Sequence, residues 1–352
     1  MTAKDEAGDI RKGEELPTEN LESYIKANIE GIKGPMEIRQ FPGGHSNLTY
    51  LIKFNEREMV MRRPPFGTKV KSAHNMGREY KVLSALSPVF PYAPRPLLHT
   101  EDNSIIGCPF FLMERLNGIV IRGEIPENVD LSGDRAKKLC LNMIKTQYEL
   151  HSIDYKKIGL KDFGKPQGYM KRQIEGWNRR YEGSKTPDAP DCDQMMNWLA
   201  DHVPMDSDRP GIVHGDYKFD NILLDIKNPI NLAGILDWEM ATIGDPIADF
   251  AYTVMSWPPR DSQEADATTT MPLMLKNAVC REELVDLYES LSGRRIDKLS
   301  FYIGFNLFRL GVIIQQIYYR YYHGITKDER FGAFKFMVKN LMESAAIVIE
   351  KI

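Results

Sequence analysis

The most informative residues of this chain are two aspartates and an asparagine, Asp216, Asn221 and Asp237, each of which lies beside a short apolar run. Apolar runs bounded by polar turns predict buried strands, so we expect the three side chains near strand ends, on loops aimed at one point. Such oxygen ligands suit Mg2+, a hard cation that keeps several of its waters. We therefore expect Asn221 and Asp237 to hold magnesium and Asp216 to orient or deprotonate a hydroxyl, as phosphoryl transfer requires.

A structural explanation competes with this one. A lone His-Gly-Asp is common, and His214 could be a core histidine while Asp216 forms a turn. The order of the later residues favours the functional interpretation, because Asn221 and Asp237 follow in sequence and Gly244–Asp249 then reads G-D-P-I-A-D.

The segment His214–Asn221, which reads H-G-D-Y-K-F-D-N, resembles the catalytic loop of the aminoglycoside-phosphotransferase family of small-molecule kinases. It is also similar to the protein-kinase loop H-R-D-x-K-x-x-N, with Gly215 in place of the arginine. Asp237–Glu239 stands where protein kinases have Asp-Phe-Gly. The resemblance covers residues from about 41 to 322 and is strongest to the branch that also occurs fused to acyl-CoA dehydrogenases.

This resemblance implies a two-lobed, protein-kinase-like α+β fold. A small N-terminal antiparallel β-sheet lobe would precede a larger, mainly helical C-terminal lobe, with ATP bound between them. It also implies that ATP and Mg2+ are required, that Lys218 acts beside Asp216 in catalysis, and that Asp249 braces the catalytic loop.

Paired glycines between two predicted strands point to a loop that covers the phosphates of ATP. The loop contains Gly43, Gly44, Ser46 and Asn47. Without a Cβ, glycine lets backbone amides approach an anion closely. A glycine pair in a hairpin is more often only a turn, but the small-molecule kinases that this chain resembles have similar G-x-S-N loops.

Four further residues are predicted to bind the nucleotide. Arg62 occupies the position of the protein-kinase β3 lysine and Glu79 that of its helix glutamate, although an arginine is bidentate and larger than a lysine. We expect the two to form an ion pair, with Arg62 against the α- and β-phosphates. In kinase-like folds the linker backbone binds adenine, so the Glu114 carbonyl and the Leu116 amide are candidates. The alternatives are solvated surface charges and an ordinary strand exit.

The amino-acid composition limits the classes of protein to which this chain can belong. The chain has 352 residues, a formal net charge of −3 and four scattered cysteines, so nucleic-acid binding, a zinc site and a disulfide framework are not indicated. The N-terminus lacks a signal-peptide core and residues 301–322 are too polar to span a bilayer, which favours a cytoplasmic protein. We expect a mobile tail at 1–16, a nucleotide-binding lobe with a leading helix at 17–115, and a catalytic and acceptor-binding lobe at 116–352.

We therefore expect an ATP-dependent kinase of a small-molecule hydroxyl, with no protein partner indicated. A hydroxyacyl-CoA, an aminoglycoside-like compound, choline-like amines, homoserine and sugars all stay open as acceptors, because fold does not fix substrate. Aspartate-rich loops could line a site for a cationic acceptor, although solvated loops are the default: Asp188, Asp191, Asp193, Asp201, Asp206 and Asp208. A protein kinase is disfavoured, since residues 237–249 leave no room for an activation loop. A catalytically silent nucleotide- or CoA-binding module is the non-enzyme alternative.

Overall fold

A computed structural model describes residues 6–42, 47–66, 75–260, 273–326 and 328–350. Gly43, Gly44 and Ser46 of the predicted phosphate loop lie outside these ranges. The strands are β1 Met36–Gln40, β2 Leu48–Phe54, β3 Arg57–Arg63, β4 Pro96–Thr100, β5 Phe110–Glu114, β6 Ile119–Val120, β7 Gly211–Val213, β8 Ile222–Leu224, β9 Leu232–Ile235 and β10 Thr242–Gly244. The α-helices are α1 Thr18–Asn28, α2 Met76–Leu86, α3 Asn103–Ile106, α4 Asp134–Ser152, α5 Tyr169–Glu182, α6 Asp193–Asp201, α7 Pro246–Val254, α8 Leu273–Ala278, α9 Arg281–Ser292, α10 Leu299–Tyr322 and α11 Phe334–Glu350.

Residue contacts divide the chain into two compact units. The first unit comprises residues 1–131, 156–160 and 218–241, and the second comprises 132–155, 161–217 and 242–352. From Lys218, within the segment His214–Asn221, the chain thus returns to the unit that contains the N-terminal sheet. The division predicted from the sequence, at residues 115 and 116, stays a prediction about domain organisation.

An antiparallel sheet with the strand order β1-β2-β3-β5-β4 forms the first unit's framework. Its period-two pattern is clear in β2, where Tyr50, Ile52 and Phe54 are buried in one cluster with Leu21 and Ile25 of α1. Because successive strand residues face opposite sides, this alternation supplies one apolar face for the helix to cover. A smaller sheet, in the order β6-β8-β9, completes the unit.

Two segments of the first unit differ from the sequence-based expectation. Residues 6–16 were expected to be mobile, but Gly8 exchanges backbone hydrogen bonds of 2.8 and 2.9 Å with Gln40, and Leu16 is buried. The apolar run Ile105–Cys108 predicts a strand from the sequence, but the helix α3, Asn103–Ile106, includes the first two residues of this run. The Asp102 side chain accepts a hydrogen bond from the Ser104 amide at 2.9 Å, and this N-cap favours a helical turn over an extended chain.

The second unit is mainly helical and packs around α10. Gly304 and Gly311 let α11 approach this helix closely, since a Cβ at Gly304 would lie 2.7 Å from Ile349 and one at Gly311 would lie 2.7 Å from Met342. Among the described residues, no helix is both long and apolar enough to cross a membrane. An antiparallel sheet followed by a mainly helical portion is the predicted α+β, kinase-like architecture.

Candidate functional site

A buried arginine with several carboxylates around it lies at the centre of the first unit's candidate site. Arg62 of β3 is only 6% exposed. Its Nη1 pairs with Oε1 of Glu79 on α2, which confirms the predicted ion pair. Its Nη2 lies 2.9 Å from Asp237 Oδ1 and 3.3 Å from Glu239 Oε2. One guanidinium therefore joins the sheet, a helix and the segment after β9.

Three carboxylates lie around the one guanidinium of Arg62. Burial raises the pKa of Glu79 to about 7, while the charge of Arg62 lowers it. Burial alone would lower the pKa of Arg62, but Glu79, Asp237 and Glu239 raise it above its ordinary value. Carboxylate oxygens gathered in this way are the kind of ligand that a hard divalent cation takes.

Glu239 is a site residue that the sequence did not single out. Its Oε2 accepts a hydrogen bond of 2.6 Å from Asn47 Nδ2, at the end of the predicted phosphate loop, and the same oxygen faces Arg62. A glutamate two positions after the aspartate is the one available signal, and it departs from the Asp-Phe-Gly pattern of protein kinases.

Asn221 and Asp237 are brought side by side by the backbone. The Leu236 amide donates to the Asn221 carbonyl at 2.7 Å, so the side chains leave adjacent chain segments. Asp237 has φ +65°, an uncommon conformation for a residue with a Cβ and one that is enriched at functional sites.

Among the described residues no three His, Cys, Asp or Glu side chains converge as a metal cage. Magnesium needs none, since it is held by one or two carboxylates, waters and substrate phosphates. The donor set therefore fits Mg2+.

A cavity of about 410 Å3 opens beside this cluster, entirely within the first unit. Arg62, Asn221 and Asp237 line it, and so do Glu114 and Leu116, the two residues predicted to contact adenine. Its size falls in the range of small-molecule and cofactor sites. Lys218 belongs to the same unit, where its carbonyl accepts the Asn221 amide at 3.0 Å.

The second unit contains Asp216 on a loop that a buried aspartate holds. Oδ1 of Asp249 accepts the Gly215 amide at 2.7 Å, and Oδ2 accepts the His214 amide at 3.1 Å. These bonds confirm that Asp249 braces the loop. The positive φ of Gly215, +84°, explains why glycine replaces the protein-kinase arginine here.

His151 completes this network from α4. Its Nε2 lies 3.1 Å from Asp249 Oδ2, and its Nδ1 lies 2.7 Å from the Tyr288 hydroxyl. Burial alone would raise the pKa of Asp249, but the hydrogen bond and charge of His151, together with His214 and the Gly215 amide, lower it to about 2. His151 is thus a buried residue with a structural role.

Two side chains that the sequence did not indicate reach the loop itself. The Tyr252 hydroxyl of α7 donates to Asp216 Oδ1 at 2.6 Å. Arg309 of α10 donates through Nη2 to the Gly215 carbonyl at 2.6 Å, and its guanidinium lies 5.1 Å from the centre of the Tyr252 ring. Asp216 is therefore held by its side chain as well as by its backbone.

Comparison with known proteins places this geometry in a family. The family model described as "Phosphotransferase enzyme family" matches residues 37–271, more than half of the chain. The chain is 35% identical over 321 residues to acyl-CoA dehydrogenase family member 10 of Mus musculus, covering 88% of the chain and 29% of that protein. It is 31% identical over 363 residues to family member 11 of Gallus gallus, covering 97% of the chain and 45% of that protein. The chain thus spans less than half the length of these relatives.

A solved structure from Ralstonia eutropha JMP134, described provisionally as an aminoglycoside phosphotransferase, is also similar. It shares 31% sequence identity at a TM-score of 0.80, over 96% of this chain and 99% of that chain. Choline kinase from Cryptosporidium parvum, at 13% identity and a TM-score of 0.65, covers 95% of this chain and 97% of its own and shares the fold alone. The family match and these identities show that this chain belongs to the APH phosphotransferase enzyme family.

Proposed function

We propose that this protein is a kinase that transfers the γ-phosphoryl group of ATP to a hydroxyl of a small molecule, with magnesium as its cofactor. The observation that carries the proposal is the Arg62 cluster, in which Glu79, Asp237 and Glu239 surround one guanidinium beside a cavity of about 410 Å3. Carboxylate oxygens beside a buried arginine suit a metal–nucleotide complex, because the oxygens can bind the cation and the guanidinium can bind the phosphates.

In this mechanism the chain's residues mainly position groups and neutralise charge. Asn221 and Asp237 hold the metal, with Glu239 as a further oxygen donor, and bound magnesium supplies charge that offsets the phosphates. Arg62 donates to the phosphates, and Lys218 adds a second positive charge near the transferred group. The Glu114 and Leu116 backbone receives the adenine.

Asp216 acts on the acceptor. The acceptor oxygen forms a bond to the γ-phosphorus while the bond between that phosphorus and the ADP oxygen breaks. The hydroxyl proton passes late to Asp216, which returns it to water. The hydrogen bonds from Tyr252 and to Asp249 keep the carboxylate and its loop in place. Asp216 therefore needs little reorganisation during phosphoryl transfer.

We propose a hydroxyacyl thioester as acceptor ahead of an aminoglycoside-like compound. The curated relatives at 35% and 31% identity are named as acyl-CoA dehydrogenase family members. Proteins that share the fold were solved with ADP and hygromycin B and with AMP-PNP and hygromycin B, at only 12% identity. Those complexes support nucleotide use by the fold and say little about this acceptor.

Calorimetry of Mg-ATP binding tests the proposal. Asp237→Ala removes a metal ligand, so we expect the affinity for Mg-ATP to fall at least about a hundredfold, since metal stabilisation of phosphate charge amounts to several kcal/mol. Glu56→Ala, which removes an exposed acid from the same unit, should bind like the wild type. Unchanged affinity in the Asp237 variant would remove the metal assignment.

A second measurement separates an enzyme from a silent binding module. Acceptor-dependent ADP release with a panel of hydroxyacyl thioesters, aminoglycosides, amino alcohols and sugars should give turnover with at least one class. Tight, magnesium-dependent nucleotide binding without any ADP release would favour the silent module.

A further inference from the structure

Two arginines lie against one tryptophan in the second unit, next to the catalytic loop. The guanidinium carbon of Arg180 on α5 lies 4.5 Å from the centre of the Trp177 ring, and that of Arg309 lies 5.6 Å from it. Arg309 also donates to the Gly215 carbonyl at 2.6 Å, one residue before Asp216. The positive charge therefore lies beside the carboxylate that receives the acceptor hydroxyl.

Neither arginine has a carboxylate partner within the part of the chain that the structure describes. In the same part of the chain, the Nε of Arg309 is buried and lacks a hydrogen-bond partner. Burial lowers the pKa of Arg180, and the charges of Arg179 and Arg309 lower it further. Like charges gathered at a partly desolvated position repel one another, and an anion would relieve that repulsion.

Three of the six aspartates that could have favoured a cationic acceptor have other partners. Asp188 accepts from the Tyr318 hydroxyl at 2.7 Å, Asp206 accepts from the Gly168 amide at 2.9 Å, and Asp208 pairs with Arg294. These bonds are ordinary loop and helix-end contacts. The side chain that contacts the Gly215 carbonyl is, by contrast, the cation Arg309.

We propose that Arg180 and Arg309, whose guanidinium groups both lie against the Trp177 ring, form an anion-binding part of the acceptor site. The acceptor would then be a hydroxyl compound that also carries a carboxylate or a phosphate ester. A guanidinium donates to either group in a bidentate manner. This inference rests on the proposed function, because it takes Asp216 as the residue that meets the acceptor hydroxyl.

Matched probes that differ only in charge test the inference on the Mg-ADP-saturated protein. For the carboxylate, 3-hydroxybutyrate is compared with neutral 1,3-butanediol and cationic 4-amino-2-butanol; for the phosphate ester, glycerol 3-phosphate is compared with glycerol. Binding is followed by calorimetry on the Mg-ADP-saturated protein. Phosphoryl transfer to each probe is followed by ADP release in separate samples that contain Mg-ATP. We expect at least one anion to bind about tenfold or more tightly than its neutral partner, and the arm that responds identifies carboxylate or phosphate. Equal binding of all probes, or preference for the cation, would overturn the inference.

Variants show whether the arginines cause the preference. Arg180→Met should remove most of the tenfold advantage of the anion, and Arg309→Lys should weaken it while keeping the charge. Arg320→Met changes the same charge at an exposed position of α10 and should leave it unchanged. If the preference for the anion persists in both Arg180→Met and Arg309→Met, another part of the protein causes it and the proposal is wrong.

Nucleotide affinity, measured on the same samples, separates the two proposals. If Mg-ATP binds and phosphate is transferred to a cationic or neutral acceptor, the proposed function stands and the anion subsite fails. If Mg-ATP does not bind, the proposed function fails whatever the probes show.

Discussion

Each unit contains a buried charged group held by several partners, but the two groups are satisfied in opposite ways. In the first unit Arg62 faces three carboxylates, and burial raises the pKa of Glu79 to about 7. In the second unit Asp249 receives two backbone amides and lies against His151, and its pKa falls to about 2. The first cluster gathers carboxylates around a cation, whereas the second gathers hydrogen-bond donors around a carboxylate.

The difference indicates a division of labour. Carboxylates around a buried guanidinium offer oxygen ligands and a cation at one place, so the Arg62 cluster is suited to the proposed binding of a metal–nucleotide complex. An aspartate that already accepts two backbone amides is suited to holding the His214–Gly215 loop in one geometry. Preorganised groups of this kind avoid reorganisation during the reaction.

Asp216→Asn should produce the largest effect, because it removes the charge that orients the hydroxyl and keeps the shape. General acid–base catalysis contributes roughly 10²–10⁴-fold, so we expect turnover to fall by about that factor. The affinity for Mg-ATP should stay close to that of the wild type, because the proposed metal ligands are other residues. The measurement is nucleotide affinity in parallel with acceptor-dependent ADP release. Lost affinity would make Asp216 a metal ligand, and unchanged turnover would make it a turn residue.

Asp249→Asn should disrupt the hydrogen bonds that Asp249 accepts from the loop and from His151. Removing one partner of a buried pair costs about 3 kcal/mol or more, so we expect urea denaturation to show a loss of about that size. Asp201→Asn, at an exposed position of α6, should change the free energy of unfolding by less than about 0.5 kcal/mol. Equal stabilities in the two variants would contradict the role of Asp249.

The same network predicts how the wild type responds to acid. The pKa of Asp249 is lowered from 3.8 to about 2, so its ionised form stabilises the folded state above pH 3.8. That contribution, about 2 kcal/mol, is lost as the pH falls from about 4 to 2. Urea denaturation across this range should show a steeper loss in the wild type than in Asp249→Asn.

The resemblance to kinases predicted the Arg62–Glu79 pair and the Asp249 brace, and the structure contains both. Local apolar patterns predicted strands of the sheet. Glu239 could not be found this way, because its partner Asn47 is 192 residues away in the sequence. The role of Tyr252 could not be predicted from the sequence for the same reason, because only the packing of α7 brings its hydroxyl to Asp216.

The missed helix α11 is a different case, because its signal was present. Val338, Leu341, Met342, Ala345 and Ile349 are buried at helical spacing. The resemblance to kinases ends near residue 322, so this stretch is predicted only to belong to the lobe at 116–352. The wrong strand at residues 105–108 shows the reverse problem, since its apolar side chains satisfy either structure and only the cap at Asp102 decides.

Arg62→Lys tests the role of the guanidinium in the charged cluster of the first unit. A lysine ammonium is a compact point charge that cannot reproduce the forked contacts to Glu79, Asp237 and Glu239. Charge-assisted hydrogen bonds are worth about 2 kcal/mol, so we expect the Michaelis constant for ATP to rise about thirtyfold. Arg57→Lys, an exposed change on the same strand, is the matched control. If both variants keep the wild-type constant, Arg62 has a structural role only.

Tyr252→Phe should have the smallest effect on turnover, and a double-mutant cycle with Asp216→Asn tests whether the two residues are coupled. The hydroxyl donates to Asp216 Oδ1 at 2.6 Å, and losing a hydrogen bond to a charged group is expected to lower turnover about tenfold. Affinity for Mg-ATP should be unchanged, since Tyr252 belongs to the acceptor side. Tyr318→Phe removes a similar bond, to Asp188, and should leave turnover intact. If Tyr252 acts by positioning Asp216, it should have less effect when Asp216 is already asparagine, because coupled residues are not additive. A full tenfold loss in that background would mean that Tyr252 acts independently of the carboxylate it contacts.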